Sequence, residues 1–212
     1  MTDRPRLIAL DPGAPAPAGL QAAADVLRRG GAVGFPTETF YGLAAAALDP
    51  ASVKRIFALK GRPDSKPLLV LVDSVAMAET VADVTDSARA LMKRYWPGAL
   101  TLVLPARAIV PSDVTAGTGT LGVRVSSHPI AHGLVKTLGE PVTAPSANPS
   151  QATPPRTPEE VLKYFDGLVD LVLDAGPTSG GAPSTVLDVS VDPPRLLRKG
   201  AVALEGPCWA PV

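Results

Sequence analysis

Five basic side chains crowd into thirteen residues of this 212-residue chain: Lys54, Arg55, Lys60, Arg62 and Lys66, opposed there by Asp64 alone. An amphipathic helix accounts for Lys54 and Arg55 as its wet face. It does not account for Lys60-Gly61-Arg62-Pro63, which lies past the helix end, where glycine and proline fix the backbone. Two cations held on a stiff turn suit an anion such as a polyphosphate. The plainer alternative is cationic capping of the helix C-terminus. A second stretch, Phe35-Pro36-Thr37-Glu38-Thr39-Phe40-Tyr41-Gly42, follows an apolar run. It offers several hydrogen-bonding side chains to a small polar ligand, or to its own turn. A third, Ala144-Pro145-Ser146-Ala147-Asn148, brings Ser and Asn to a strand end, where open α/β sheets bind ligands. Arg124 sits inside the apolar run Leu121–Val125, and Arg198 ends another. A guanidinium in such a place needs an anionic partner or exposure.

Other arrangements fail on context. Gly117-Thr-Gly-Thr-Leu-Gly122 fits the spacing of a dinucleotide-binding loop, but a strand pattern follows it where a helix is required. The loop can still offer hydroxyl and N–H groups to phosphate, or merely join two strands. His128 and His132 are four apart, yet no acid follows the first and Pro129 makes His128 a helix cap. With two histidines and one cysteine, Cys208, a Ser-His-Asp or Cys-His enzyme is not expected.

The elements that would position these groups follow from pattern. Helices are predicted over 20–29, 50–60, 74–82, 86–95, 129–138 and 158–167. Asp49-Pro50 and Thr157-Pro158-Glu159-Glu160 are N-terminal signals, and Gly30, Gly61 and Gly167 are stops. Strands are predicted over 32–36, 67–72, 100–104, 121–125, 141–144, 168–173, 185–190 and 195–198. Residues 1–17 read as a lead-in strand and proline-rich connector. Strands alternate with helices early and cluster late, which implies an α/β fold with a mixed sheet. No composition break divides the chain, so one domain over 1–212 is expected, its core at about 18–200.

Composition narrows the classes. Lysine plus arginine number 20, aspartate plus glutamate 20, so no global field is available to grip nucleic acid. A single cysteine excludes an intramolecular disulfide and reads as a reduced, cytoplasmic protein. No run of about 18 apolar residues spans a membrane, and the N-terminus carries no apolar signal segment. The 24 prolines include Pro36, Pro63, Pro67 and Pro145, which would stiffen the candidate turns.

Taken in order, Phe-Pro-Thr-Glu-Thr-Phe-Tyr-Gly-Leu, Ile-Phe-x-x-Lys-Gly-Arg-Pro, Lys-Pro-Leu, Trp-Pro-Gly-x-Leu-Thr, Val-Arg-Val, Ala-Pro-Ser-Ala-Asn, Ser-Thr-Val and Leu-Arg-x-Gly resemble the YrdC-type threonylcarbamoyl-AMP synthases over roughly residues 18–200. The resemblance implies a twisted mixed β-sheet with flanking helices and a concave, positively charged cavity. It implies formation of L-threonylcarbamoyl-AMP and pyrophosphate from L-threonine, bicarbonate or CO2, and ATP, with Mg²⁺ assisting from the solvent side and no protein side chain as metal ligand. Lys60, Arg62, Lys66, Thr120, Ser146, Asn148 and Arg198 then fall at nucleotide positions, Lys60 and Arg62 as the catalytic pair. Thr39, Arg124 and Ser184 fall at threonine positions. The product would pass to a tRNA threonylcarbamoyl-transferase complex that modifies adenosine 37. The chain reads as the short form, without a further C-terminal domain. It departs from the pattern at Leu71 (a histidine in many relatives), at Ser150-Gln151, at Thr153-Pro154-Pro155, at Pro183 and at Lys199. A same-fold paralogue, with carbamoyl-transfer or nucleotide-binding activity, is one alternative. A double-stranded RNA-binding module, suggested by the local +4 patch, is another.

Overall fold

A computed structural model describes residues 6–61 and 66–204 and the backbone of Ala210–Pro211. Arg62 and Pro63, central to one expected site, and Cys208 lie outside the described residues.

In chain order the elements are β1 (Arg6–Ala9), α1 (Pro17–Arg28), β2 (Val33–Pro36), β3 (Tyr41–Ala44), α2 (Pro50–Lys60), β4 (Leu69–Leu71), α3 (Val75–Val81), α4 (Asp86–Tyr95), β5 (Leu100–Pro105), α5 (Ser112–Thr115), β6 (Thr120–Arg124), α6 (Pro129–Leu138), β7 (Val142–Thr143), α7 (Pro158–Phe165), β8 (Leu171–Asp174), β9 (Thr185–Asp188), β10 (Arg195–Arg198) and β11 (Ala210–Pro211). The strands form two mixed sheets rather than one: β1-β8-β2-β3, and β11-β10-β9-β5-β6-β4-β7. The mixed α/β class expected from the sequence is what the chain adopts.

The local signals act as their chemistry requires. Asp49 accepts from the N–H groups of Ala51 and Ser52 at the start of α2, an N-cap that satisfies otherwise orphaned donors. The Ser52 hydroxyl, which also donates to Asp49, and then the Ser52 N–H hold its carboxyl below the usual aspartate range. Gly61 ends α2 with φ +55°, a left-handed cap that glycine takes without steric cost. Thr157 caps α7 through Glu160 N–H. The Glu160 carboxylate reaches back to the N–H of Arg156, one residue before the usual partner. His128 Nδ1 caps α6, accepting from Ile130 N–H at 3.3 Å. Three elements lay below the reach of pattern. They are β3, hidden inside the polar turn, the single turn α5, and the two-residue β11.

Two apolar clusters hold the layers together. Helices α1 and α6 pack on the first sheet through Leu20, Ala24, Leu27, Leu134 and Val135 against Phe35 and Leu171. The second sheet buries Leu100, Leu102, Leu104, Leu121, Val123 and Leu187, covered by Val53 and Ile56 of α2 and Met92 of α4. The sheets meet along a seam: Gly42 bridges Ser146, Ala46 bridges Val142, Leu43 N–H donates to Pro145 O, and Ala147 N–H to Tyr41 O.

Candidate active site

Strands β5, β6 and β9 are two-faced. Leu100, Leu102 and Leu104 of β5, Leu121 and Val123 of β6, and Leu187 of β9 enter the core. The intervening positions, Thr101, Val103, Thr120, Gly122, Arg124, Ser184, Val186 and Asp188, line a cavity of about 590 Å³. This is the period-two alternation of a strand with one face in the core and one on a cleft. The β2–β3 turn supplies Thr37 and Thr39, and the segment after β7 supplies Ala144, Pro145 and Ser146. Leu197 and Arg198 of β10 close another side, and Thr118 and Pro67 stand on the rim loops.

Six residues singled out from the sequence therefore share one cavity: Thr39, Thr120, Arg124, Ser146, Ser184 and Arg198. Arg124 is 3% exposed. Its Nη1 donates to Glu38 Oε1, whose other oxygen accepts from Ser126 Oγ. Burial pushes Arg124 below the usual arginine range, and the Glu38 charge opposes that push. Arg198 Nε donates to Ser184 O and its Nη2 to Ser184 Oγ, both at 2.9 Å. Thr101 Oγ1 pairs with the same serine hydroxyl at 2.9 Å. Burial lowers Arg198 first, and the charge of Arg124 lowers it further, so the two guanidinium groups sit within electrostatic reach. Arg198 has no ion-pair partner among the described residues.

Gly200 makes the Ser184–Arg198 contact possible. A Cβ there would stand 2.2 Å from Pro183 O and 2.5 Å from Thr185 N, both backbone atoms. Its N–H donates to Thr185 Oγ1 and the next N–H to Pro183 O. The glycine of Leu-Arg-x-Gly is thus needed for close approach of two segments of the chain.

Lys60 is placed differently from the lining residues. It is 3% exposed, and its Nζ donates to the carbonyls of Ser146 (2.5 Å) and Asn148 (2.6 Å). Ser150 N–H donates in return to Lys60 O. The side chain therefore runs beneath the Ser146–Asn148 loop rather than along the cavity wall. Asn148 is also outside the lining; its Nδ2 ties Pro149 O and Ala152 O, and its Oδ1 is buried with no hydrogen-bond partner. Lys66 is exposed and outside the lining. Arg55 pairs with Asp170 at 2.9 Å, so the described cations of this stretch serve different partners. Leu71 is buried in the α1–α6 apolar cluster and does not face the cavity.

Sequence pattern puts Glu38 in a candidate ligand turn without pairing it to Arg124, and it leaves Ser126 and Thr101 out of the site. Arg124 was the signal for Glu38, since it required a carboxylate and Glu38 stood in a turn already noted. The i, i+2 spacing of Thr101 and Val103 would have found the β5 wall.

Comparison with known proteins places this geometry. Residues 25–200 match the Sua5/YciO/YrdC family, described as "Telomere recombination". The threonylcarbamoyl-AMP synthase of Pyrococcus abyssi is 44% identical over 187 residues, which is 88% of this chain and 55% of that protein. The chain thus spans about half the length of that curated relative. The crystal structure of P. abyssi Sua5 complexed with L-threonine superposes with a TM-score of 0.89 at 42% identity, covering 92% of this chain and 57% of that one. Escherichia coli YciO superposes with a TM-score of 0.85 at 29% identity, covering 92% of this chain and 96% of its own. A match over 25–200 that takes in both the two-faced strands and the turns around the cavity settles the lineage: the chain belongs to the Sua5/YciO/YrdC family.

Proposed function

We propose that this chain is an L-threonylcarbamoyladenylate synthase, using L-threonine, bicarbonate or CO2, and ATP. The carrying observation is the convergence of Thr39, Thr120, Arg124, Ser146, Ser184 and Arg198, from five separate strands and turns, on one 590 Å³ cavity. The P. abyssi relative that holds L-threonine supports the same reading.

On this reading Arg124 takes the threonine carboxylate, with Thr39 and Ser184 beside it. Thr120, Ser146 and Arg198 hold the nucleotide, with Lys66 and Arg62 at the phosphates. Lys60 and Asn148 serve through the loop they brace. The amine nitrogen bonds to the carbon of CO2 and loses a proton, giving a carbamate. A carbamate oxygen then bonds to the α-phosphorus, and the bond to pyrophosphate breaks. Such a transfer needs positioning and charge neutralisation rather than a covalent nucleophile. Magnesium enters as the nucleotide's counter-ion. The described residues do not fit a protein-held ion, because no three His, Cys, Asp or Glu side chains gather among them. Asp188 alone is a carboxylate among the described lining, and its Oδ1 already accepts from Ser190.

The same reading takes residues 1–212 as one domain of a cytoplasmic protein. Its product goes to a tRNA threonylcarbamoyl-transferase complex for adenosine 37, and zero net charge keeps direct RNA binding weak. Among the described residues no helix is long and apolar enough to cross a membrane. The test is pyrophosphate release from ATP. It is expected to require both L-threonine and bicarbonate and to fall at least about 100-fold in Arg124→Ala. Release that ignores threonine would end the proposal in favour of a same-fold paralogue.

A further inference from the structure

Glu38 belongs by backbone to one sheet and by side chain to the other. Its carbonyl accepts from Ser179 Oγ at 2.7 Å, and the neighbouring Thr39 carbonyl accepts from Gly180 N–H at 3.0 Å. Thr37 Oγ1 adds bonds inside the turn, to Phe40 O, Thr39 N–H and Phe40 N–H. The turn between β2 and β3 is thus fixed from below and from the side. From it, the Glu38 carboxylate crosses to Arg124 at the end of β6 and to Ser126 just beyond. Among the described ion pairs this is the most enclosed, with side-chain exposures of 18% and 4%.

Two consequences follow for anything bound at Arg124. The guanidinium is a rigid fork, and holding one end of it fixes the plane of the rest. Its Nε is buried with no hydrogen-bond partner, so donor capacity remains after Glu38 is served. The cation is also already compensated, so an arriving carboxylate meets an oriented donor set rather than a bare charge. Thr39 is carried on the same turn, so the Glu38 bridge also fixes where Thr39 stands relative to Arg124 on the cavity wall.

We propose that Glu38 is a positioning residue for the carboxylate of the amino-acid substrate. It orients Arg124 and ties the Thr39 turn to β6. The inference rests on the reading that Arg124 meets that carboxylate. It assigns Glu38 to the amino-acid half of the cavity and not to the nucleotide half.

Calorimetric titration of the full chain with L-threonine and, separately, with ATP tests this. Glu38→Ala is expected to weaken threonine at least about tenfold, the scale of one charge-assisted hydrogen bond. ATP affinity should stay within about threefold. Glu38→Gln, whose amide oxygen can still accept from Arg124, should recover most of the lost affinity and covers the case of a poorly folded alanine variant. In turnover, the KM for threonine should rise more than kcat falls. Unchanged threonine affinity in both Glu38 variants, alongside a deficient Arg124→Ala, would overturn this inference alone. Equal loss of threonine and ATP would reduce Glu38 to a structural brace and overturn it too. A wild-type chain that binds no threonine, or an Arg124→Ala chain that binds it normally, would overturn both this inference and the functional reading beneath it.

Discussion

Arg124 and Lys60 are both cations that their sequence settings leave unexplained, one inside an apolar strand and one at a helix end. Each is 3% exposed. They reach that burial by different routes. Arg124 meets the Glu38 carboxylate and keeps a face on the cavity. Lys60 meets two backbone carbonyls and is not part of the lining. The difference reflects side-chain chemistry. A planar five-donor guanidinium can serve an internal acid and a ligand together, whereas a compact ammonium turned onto backbone carbonyls braces the loop that carries them. One end of the cavity is thus built on a charge pair that a ligand can join. The other rests on a loop held from beneath.

The sharpest way to break that contrast is Lys60→Met. Two carbonyls lose their charged donor, and removal of a hydrogen bond to a charged group costs about 1.5–3 kcal/mol each. The melting temperature should fall clearly, and ATP binding should suffer more than threonine binding. Equal loss of both ligands would show that the two ends are one mechanical unit. Next in size, Gly200→Ala should cost about 1–3 kcal/mol by overpacking against the Pro183–Thr185 backbone. It should depress turnover beyond its effect on stability, since it moves Arg198 off Ser184. Normal turnover in a folded Gly200→Ala chain would remove Arg198 from the site.

The smallest effect concerns Tyr41, at the seam of the sheets. Its hydroxyl donates to Gly176 O at 2.8 Å and accepts from Ala175 N–H. Burial above all raises its pKa to about 12. The folded state therefore favours the neutral phenol over the unfolded chain, in which the group titrates near 10. That stabilisation is complete below about pH 10 and is lost as pH rises towards 12. Tyr41→Phe should cost about 1 kcal/mol at neutral pH and flatten this alkaline limb in urea titrations. An unchanged limb would place the titration elsewhere.

Much of the fold was legible in local signals. Asp49-Pro50, Gly61, Thr157-Pro158 and His128-Pro129 each act within a few residues, so their effect is written in adjacent chain. The cavity was legible in part. Arg124 announced itself because a buried cation must be compensated, and Ser146 because it ends a short apolar run. Glu38 was not paired with Arg124, because 86 residues separate them and spacing holds no distance information across that gap. The inward turn of Lys60 was equally hidden: Ser146 O lies 86 residues away.

What the sequence determined by itself is therefore the set of elements, their caps and the residues that could not remain unpartnered. Short-range sterics and hydrogen bonding suffice for those. The division of the strands into two sheets, the seam between β3 and the segment after β7, and the partner chosen by each buried cation were decided only by tertiary structure. Those outcomes depend on which distant groups pack together once apolar faces leave water, and a buried charge then takes whichever acceptor that packing brings within reach.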